Sequence, residues 1–212
     1  MSYELIIQKG NTVYTPPVEG KVVWDTSRKD TPGKLTFDCL PPVPFEMGNA
    51  VRFKANGASV FYGFLFTGKT DKEKVKFTAY DQLRYLKNKD TLSYTNKRAD
   101  QVVRMIADDF RLKTGALANT GFVIPSRIED NLTLFDIIGN ALDATLMASR
   151  RLFVLYDDFG KIALKEIQNM KVPLVLDDSS AENFDLSQSI DGKTYNRIKL
   201  YRDNKSTGKR EI

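Results

Sequence analysis

Hydrophobic and polar positions alternate most regularly in the stretch 49–88. Apolar side chains occupy every second position over Val51–Ala55, which is the period of a half-buried strand. The dipeptide Asn56-Gly57 follows, and it suits a tight hairpin because glycine, with no Cβ, accepts positive φ angles. The return strand, Val60–Phe66, is apolar on both sides, so we expect both of its faces to be covered. Alternation resumes over Lys74–Tyr80, which completes a predicted three-stranded meander.

Short elements flank this meander on both sides. Asp81 is placed to cap a short helix in which Leu83 and Leu86 point the same way. Three more strands are predicted on the N-terminal side, at residues 3–8, 21–26 and 35–40. About six short strands separated by turn residues are typical of a small barrel or sandwich, so we predict an N-terminal β-barrel over residues 1–90.

Helical spacing replaces the alternation beyond residue 90. Apolar residues predict an amphipathic helix over Lys97–Arg111. Thr133 and Asp136 have the spacing of a capping box, with aspartate in place of glutamate, and predict the start of a second helix. A hairpin is predicted at 152–167, around the turn Asp157-Asp158-Phe159-Gly160.

The predicted elements define three segments and an α+β fold that is mainly β. Residues 91–185 form the predicted α+β middle domain, in which 114–121 is read as a link and Phe122–Pro125 as a short edge strand. Residues 186–212 contain a predicted β-hairpin, with a strand at Tyr195–Arg202. Either this hairpin adds to the first barrel, or the sequence is a truncated piece of something longer.

The composition is that of an ordinary globular protein. The 212 residues are 42% hydrophobic and 28% charged, and the net charge of +5 is spread along the chain. We see no basic stripe interleaved with aromatics, no signal peptide, and no apolar segment long enough to span a membrane. Cys39 is the single cysteine and is expected to be a buried thiol.

The chain contains no histidine, which removes most familiar catalytic and metal sites. Neither a Ser-His-Asp triad nor a histidine-ligated zinc site is possible, and one cysteine forms no thiolate cluster. Three pairs of acids remain, Asp108-Asp109, Asp157-Asp158 and Asp177-Asp178. Adjacent residues on a helix or strand point in different directions, and turn chemistry explains the last two pairs. We therefore expect no catalytic residues, no metal site and no cofactor.

One stretch matches a nucleotide-binding motif by letter. Residues Gly63–Thr70 satisfy the P-loop formula GxxxxGK[ST]. The chemistry needs a loop of backbone amides followed by a helix, whereas these positions include the strand residues Phe64, Leu65 and Phe66. We interpret the segment as a strand running into a hairpin turn. Two alternative functions stay open. One is nucleotide binding by residues 63–70, and the other is nucleic-acid binding by the β-barrel.

The order of elements resembles a known family. The resemblance rests on four segments, which are VFYGFLF at 60–66, KVKFTAYDQLRYL at 74–86, LYDDFGKIALKEI at 155–167 and YNRIKLYRDNKSTGKRE at 195–211. Together they resemble the XkdQ/YqbQ family of prophage tail proteins, which is similar to the late-control-D type of baseplate hub. The resemblance covers nearly the whole chain, and its motifs are structural.

The resemblance implies a non-enzymatic structural part of a contractile phage tail or tail-like bacteriocin. Such hubs have two barrel domains per subunit and form a trimer that joins the hexameric tail tube to the central spike. The implied partners are other copies of the protein, the tail tube protein, the spike and other baseplate subunits, in a particle assembled in the bacterial cytoplasm. Because residues 186–212 supply only the opening hairpin of a second barrel, we expect a C-terminal truncation.

Overall fold

The computed structural model describes residues 2–173, 197, 199–203, 208 and 210–211. Its contacts divide the chain into two compact units, Met1–Lys171 and Val172–Ile212. The architecture is α+β and mainly β, as predicted.

The first unit begins with a curled half-barrel of seven antiparallel strands. The strands are β1 (Tyr3–Lys9), β2 (Thr12–Tyr14), β3 (Val18–Asp25), β4 (Lys34–Cys39), β5 (Ala50–Ala55), β6 (Ala58–Thr70) and β7 (Val75–Tyr80). Their order across the sheet is β2-β1-β5-β6-β7-β4-β3. The predicted meander is therefore the centre of the sheet, and β2 and β3 are its two ends.

Strict alternation buries one face of this sheet. In β4 the residues Leu35, Phe37 and Cys39 are buried, while the residues between them are half-exposed. Phe37 lies opposite Phe77 of β7, and the two rings are 5.3 Å apart. The half-barrel core also contains Leu5, Ile7, Val51, Phe53, Phe61, Leu65, Val75 and Ala79. Large apolar side chains at every second position are sufficient to explain why these strands form one layer.

Strand β6 differs from the expectation that both of its faces are covered. Phe61 and Leu65 are buried in the core, but Val60, Tyr62 and Phe64 on the other face are only half-buried. Phe66 is 37% exposed because it is the extra residue of a bulge, where Leu65 pairs with Ala79 and Thr67 with Thr78. The strand then continues to Thr70.

A short 3₁₀ helix, Gln82–Lys87, connects the half-barrel to the α+β part. The side chain of Asp81 caps it, since its Oδ1 accepts a hydrogen bond from the backbone N–H of Leu83. Leu83 and Leu86 are buried together, as predicted. They belong to a second apolar core, which also contains residues from both α-helices.

The α+β part contains β8 (Lys89–Arg98), α1 (Ala99–Asp109), β9 (Thr114–Leu117), β10 (Val123–Thr133), α2 (Leu134–Ser149), β11 (Phe153–Asp157) and β12 (Ile162–Glu166). Strands β8 and β10 form a long antiparallel ribbon. Strands β11 and β12 form the predicted hairpin, and β9 adds to it in parallel. A second 3₁₀ helix, Ile167–Met170, follows.

Several details of this part correct the sequence interpretation. Strand β8 was not predicted, and the link 114–121 contains β9. The predicted edge strand Phe122–Pro125 is the start of the eleven-residue β10. The capping box is confirmed, because Thr133 Oγ1 accepts from the N–H of Asp136 and Asp136 Oδ2 accepts from the N–H of Thr133.

In the second unit, Arg202–Asp203 (β13) pairs antiparallel with Arg210–Glu211 (β14). This pairing agrees with a hairpin near the end of the chain. Most of the predicted strand Tyr195–Arg202, the turn after it and the polar link 177–188 lie outside the described residues. No helix in the described part of the chain is long and apolar enough to cross a membrane.

Candidate functional site

The P-loop match lies entirely within β6. Residues Gly63–Thr70 are extended, and the turn at 71–74 leads directly into β7. No helix begins at Lys69, so this segment lacks the free backbone N–H groups of a helix N-terminus that would bind a phosphate group. The prediction of a strand running into a turn is confirmed.

Close packing accounts for both glycines of this motif. A Cβ on Gly63 would collide with the carbonyl oxygen of Tyr80 in β7 and with the ring of Phe61. A Cβ on Gly68 would lie 2.8 Å from the ring of Phe45. These glycines allow neighbouring groups to approach β6, which is a structural role.

Two of the three acid pairs lie within the described part of the chain. Asp108 and Asp109 are exposed at the end of α1, and Asp177-Asp178 lies outside the described residues. Asp157 is half-buried, whereas Asp158 is exposed. Within the described residues, no group of three or more His, Cys, Asp or Glu side chains could hold a metal ion.

Asp157 instead meets a second carboxylate that the sequence places far away. A cleft of about 380 Å³ lies between the half-barrel and the hairpin β11–β12. Its lining includes Trp24, Arg28, Phe61, Asp81, Tyr156 and Asp157. Asp81 was predicted only as a helix cap and Asp157 only as a turn residue. Neither prediction could bring the two carboxylates into one cleft, because no spacing signal links them.

Asp81 connects the half-barrel to the 3₁₀ helix. Its Oδ2 accepts a 2.8 Å hydrogen bond from the N–H of Gly33, and its Oδ1 accepts a 3.0 Å bond from the N–H of Leu83. Burial raises the pKa of Asp81 to about 7, and the nearby charge of Asp157 adds to the rise. The two backbone donors oppose this rise without cancelling it.

Asp157 connects the hairpin to the same 3₁₀ helix through Gln82. Gln82 Nε2 donates to Asp157 Oδ2 at 3.2 Å and to the carbonyl oxygen of Lys113 at 3.2 Å. Asp157 Oδ1 accepts a 2.7 Å bond from the N–H of Gly160. Burial raises the pKa of Asp157 to about 6. These bonds orient three separate segments, so the cleft is a structural junction.

The tip of the hairpin makes an apolar contact with the outer face of β6. The ring of Phe159 lies against Tyr62, with 5.7 Å between ring centres, and Arg52 lies over the Tyr62 ring at 5.9 Å. Gly160 has a φ of +86°, and a Cβ there would lie 2.5 Å from the Tyr62 ring. Glycine therefore serves both the turn geometry and the close approach.

A second surface lies at the end of the half-barrel sheet. A groove of about 810 Å³ runs between β1 and β3, and Tyr3, Val18, Val23 and Trp24 are exposed along it. Trp24 is 48% exposed. In the sheet order, β3 has a strand partner on one side only. An apolar groove beside an end strand is the kind of surface on which proteins dock by strand pairing.

Comparison with known proteins identifies the family. The model of a family described as YQBQ-like matches residues 22–212. The "Uncharacterized protein YqbQ" of Bacillus subtilis (strain 168) is 35% identical over 163 residues, covering 75% of this chain and 50% of that protein. The "Phage-like element PBSX protein XkdQ" of the same organism is 42% identical over 120 residues, covering 56% of this chain and 37% of that protein.

Solved structures share the fold at low sequence identity. The prophage MuSo2 43 kDa tail protein from Shewanella oneidensis has a TM-score of 0.60 and 14% identity, over 76% of this chain and 52% of that one. The tail protein from Neisseria meningitidis MC58 has a TM-score of 0.61 and 12% identity, over 77% and 50% of the two chains. This chain spans half the length of YqbQ, and the match to its family covers all but the first strands. The chain belongs to the YQBQ-like family.

Proposed function

We propose that this protein is a structural component of a contractile phage tail or tail-like particle, where it forms part of the baseplate hub that joins tail tube to central spike. Membership of the YQBQ-like family supports the tail role. The similarity to XkdQ, a protein of the phage-like element PBSX, supports it too. The fold shared with two tail proteins supports it as well. The protein has no enzymatic activity in this proposal.

The open half-barrel is the observation that carries the proposal. Its strands β2 and β3 end the sheet, and the apolar groove beside β3 exposes Val23 and Trp24. A solitary protein usually blocks such an edge with charge or covers it. In a hub, neighbouring subunits would cover it, and the half-barrel would continue the wall of the tube.

The three predicted segments receive separate roles. Residues 1–90 are the tube-like domain, residues 91–185 the middle domain, and residues 186–212 the start of a second barrel. Two separate apolar cores, one on each side of residue 81, support the first division. The partners we propose are other copies of the protein in a trimer, the tail tube protein, the spike and other baseplate subunits. Its location is the tail of the particle, assembled in the bacterial cytoplasm.

Purified tails from cells that express the full-length protein provide the test. Cryo-electron microscopy should show a threefold ring of the protein at the tube end. Trp24→Lys should leave the protein folded but reduce its incorporation at least about tenfold, because a charge in the groove opposes docking. Ile128→Lys is the matched control, since Ile128 is an apolar residue of β10 that is 77% exposed and does not line the groove.

Two results would contradict the proposal. Tails that contain none of the protein would remove the structural role altogether. Normal incorporation of the Trp24→Lys variant would show that the groove beside β3 is not a contact in the particle.

A further inference from the structure

The sequence shows no basic stripe interleaved with aromatics, but the fold assembles one on the outer face of the half-barrel. Lys76, Thr78 and Tyr80 of β7 alternate with buried residues, so they lie on the face opposite the core. Three cross-strand pairs join β6 to β7 on this face, an aromatic pair, a hydroxyl pair and a lysine pair, which are Phe64 with Tyr80, Thr67 with Thr78 and Lys69 with Lys76. The aromatic and the lysine pair are about 14 Å apart along β7, at about 3.4 Å per residue.

The lysine pair is unfavourable by itself. Like charges that lie directly opposite each other on neighbouring strands destabilise the pairing. Asp38 of β4 lies opposite Lys76, but it forms its 2.7 Å salt bridge with Lys74. None of the salt bridges among the described residues involves Lys69 or Lys76. A bound anion would relieve the repulsion between these two lysines.

Two further acids near the lysine pair compensate its charge only in part. Backbone N–H groups of the turn lower the pKa of Asp71, and the charge of Lys69 adds to this effect. The same N–H groups already donate to one oxygen of the Asp71 carboxylate. Glu19 of β3 lies two strands away from Lys76, which is roughly 10 Å and therefore about one screening length at physiological salt. The pair therefore keeps a net positive charge.

Two arginines extend the positive charge to the aromatic end of this face. The guanidinium of Arg84 lies 5.7 Å from the centre of the Phe66 ring. Arg52 of β5 lies 5.9 Å from the centre of the Tyr62 ring and donates one hydrogen bond to Gln8. Neither arginine takes part in a salt bridge among the residues that the structure describes. A guanidinium over a ring keeps its charge, and its remaining N–H groups can bind a phosphate oxygen.

Cations and rings together suit a single-stranded nucleic acid. Such a polymer has a phosphate at every nucleotide, and its unstacked bases can lie on aromatic rings or on guanidinium planes. Phe66 is 37% exposed, and its ring packs edge-on against Tyr80 at 5.3 Å. A duplex keeps its base faces inside its own stack, so it would use the cations alone. An acidic protein segment would also use the cations without needing the ring of Phe66.

We propose that this outer face of β5, β6 and β7 binds single-stranded nucleic acid without sequence preference. Lys69, Lys76, Arg52 and Arg84 bind phosphates, and Phe66 stacks with a base. The phosphates relieve the repulsion within the lysine pair. A mononucleotide meets only part of the face, so the proposal concerns the polymer. This binding goes beyond the structural role proposed above and does not depend on it.

The number of cations sets the expected salt dependence. For single strands, the logarithm of the affinity falls with the logarithm of the salt concentration, with a slope of about −0.7 for each phosphate contact. Four contacts give a slope of about −2.8, which is a loss of roughly fiftyfold between about 50 and about 200 mM salt. Removing two contacts halves the slope and reduces this loss to roughly sevenfold.

Fluorescence anisotropy of a labelled thymidine oligonucleotide of about 20 nucleotides measures binding to the full-length protein. Lys69→Gln/Lys76→Gln should bind at least about tenfold more weakly at about 50 mM salt, with the halved slope. Phe66→Leu should bind at least about fivefold more weakly with an unchanged slope, because stacking releases no counterions. Lys165→Gln/Lys171→Gln is the matched control, since it removes two exposed lysines outside the half-barrel. It should bind as the natural sequence does.

Three results would each overturn the proposal. The first is no binding at about 50 mM salt, and the second is equal weakening in the lysine-pair variant and its control. The third is displacement of the oligonucleotide by polyglutamate together with full affinity in Phe66→Leu, which would assign the face to an acidic protein partner. Circular dichroism reports whether each variant is folded. If the lysine-pair variant is not, Lys76→Gln alone decides, because an unchanged affinity and slope in this variant also overturn the proposal.

Discussion

The ring of Phe159, at the tip of the β11–β12 hairpin, lies 5.7 Å from the ring of Tyr62 on the half-barrel. Each ring belongs to a different layer of the first unit. Their contact therefore fixes the hairpin against the outer face of β6, beside the cleft that contains Asp81 and Asp157.

Phe159→Ala should lower the free energy of unfolding of the chain by about 1–3 kcal/mol, less than for a fully buried ring. The reason is the loss of the aromatic contact with Tyr62. Equilibrium unfolding in urea measures the change. Met147→Ala, at a helix position that is 87% exposed, is the control and should change stability by less than about 0.5 kcal/mol. Equal losses in the two variants would show that the ring contact contributes nothing.

Leu65 and Phe64 are neighbours on β6, but their substitution should have unequal effects. Leu65 is 1% exposed in the half-barrel core, so Leu65→Ala should cost about 2–5 kcal/mol. Phe64 is on the half-buried face, so Phe64→Ala should cost about 1–2 kcal/mol. Guanidinium unfolding of the two variants is the measurement. A larger loss for Phe64 than for Leu65 would mean that the faces of β6 have been assigned the wrong way round.

Nucleotide should not bind at residues 63–70. Calorimetric titration with ATP and magnesium should give no saturable heat, because β6 supplies no phosphate-binding loop. Gly63→Ala should nevertheless destabilise the fold by about 1–3 kcal/mol, since a methyl group would collide with Tyr80 and Phe61. Binding of ATP that is abolished by Lys69→Ala would contradict the structural role of this segment.

The thiol of Cys39 should be unreactive in the folded protein. Burial raises its pKa to about 11, so at about pH 8 only on the order of one thiol in a thousand is ionised. The pKa is higher in the folded state than in the unfolded state, so the corresponding stability is lost as the pH rises through about 11. An absorbance assay with a disulfide reagent should show reaction only after unfolding. Rapid reaction under native conditions would place Cys39 outside the core.

Sequence patterns correctly predicted the strands and helix caps that depend only on residues close together in the chain. The alternation at Val51–Ala55 and the cap at Asp81 are each decided by residues within a few positions, and the structure has both. The capping box at Thr133 and Asp136 is a further example. Such patterns report directly on burial and on backbone donors.

Strand β8 was missed although its signal is local, because Leu92 and Tyr94 alternate with Thr91, Ser93 and Thr95 at the predicted domain boundary. The other missed features depend on distant residues. The bulge at Phe66 depends on how β7 pairs with β6, and pairing is not encoded within β6. The cleft needs Gln82 and Asp157, which are 75 residues apart. Only the folded chain brings such groups together.

The order of strands in the half-barrel also has a consequence for how the chain folds during synthesis. Strands β5, β6 and β7 follow one another and can pair as they leave the ribosome, whereas β1 must wait for β5 and β4 must wait for β7. Long-range pairings of this kind form slowly, because closing the loop between two distant strands costs entropy before their stabilising contacts can form. Until Tyr80 has been made, the nascent chain exposes Leu35, Phe37 and the edge of β4 that later pairs with β7. A chaperone that binds short apolar strands would find its substrate in the first forty residues.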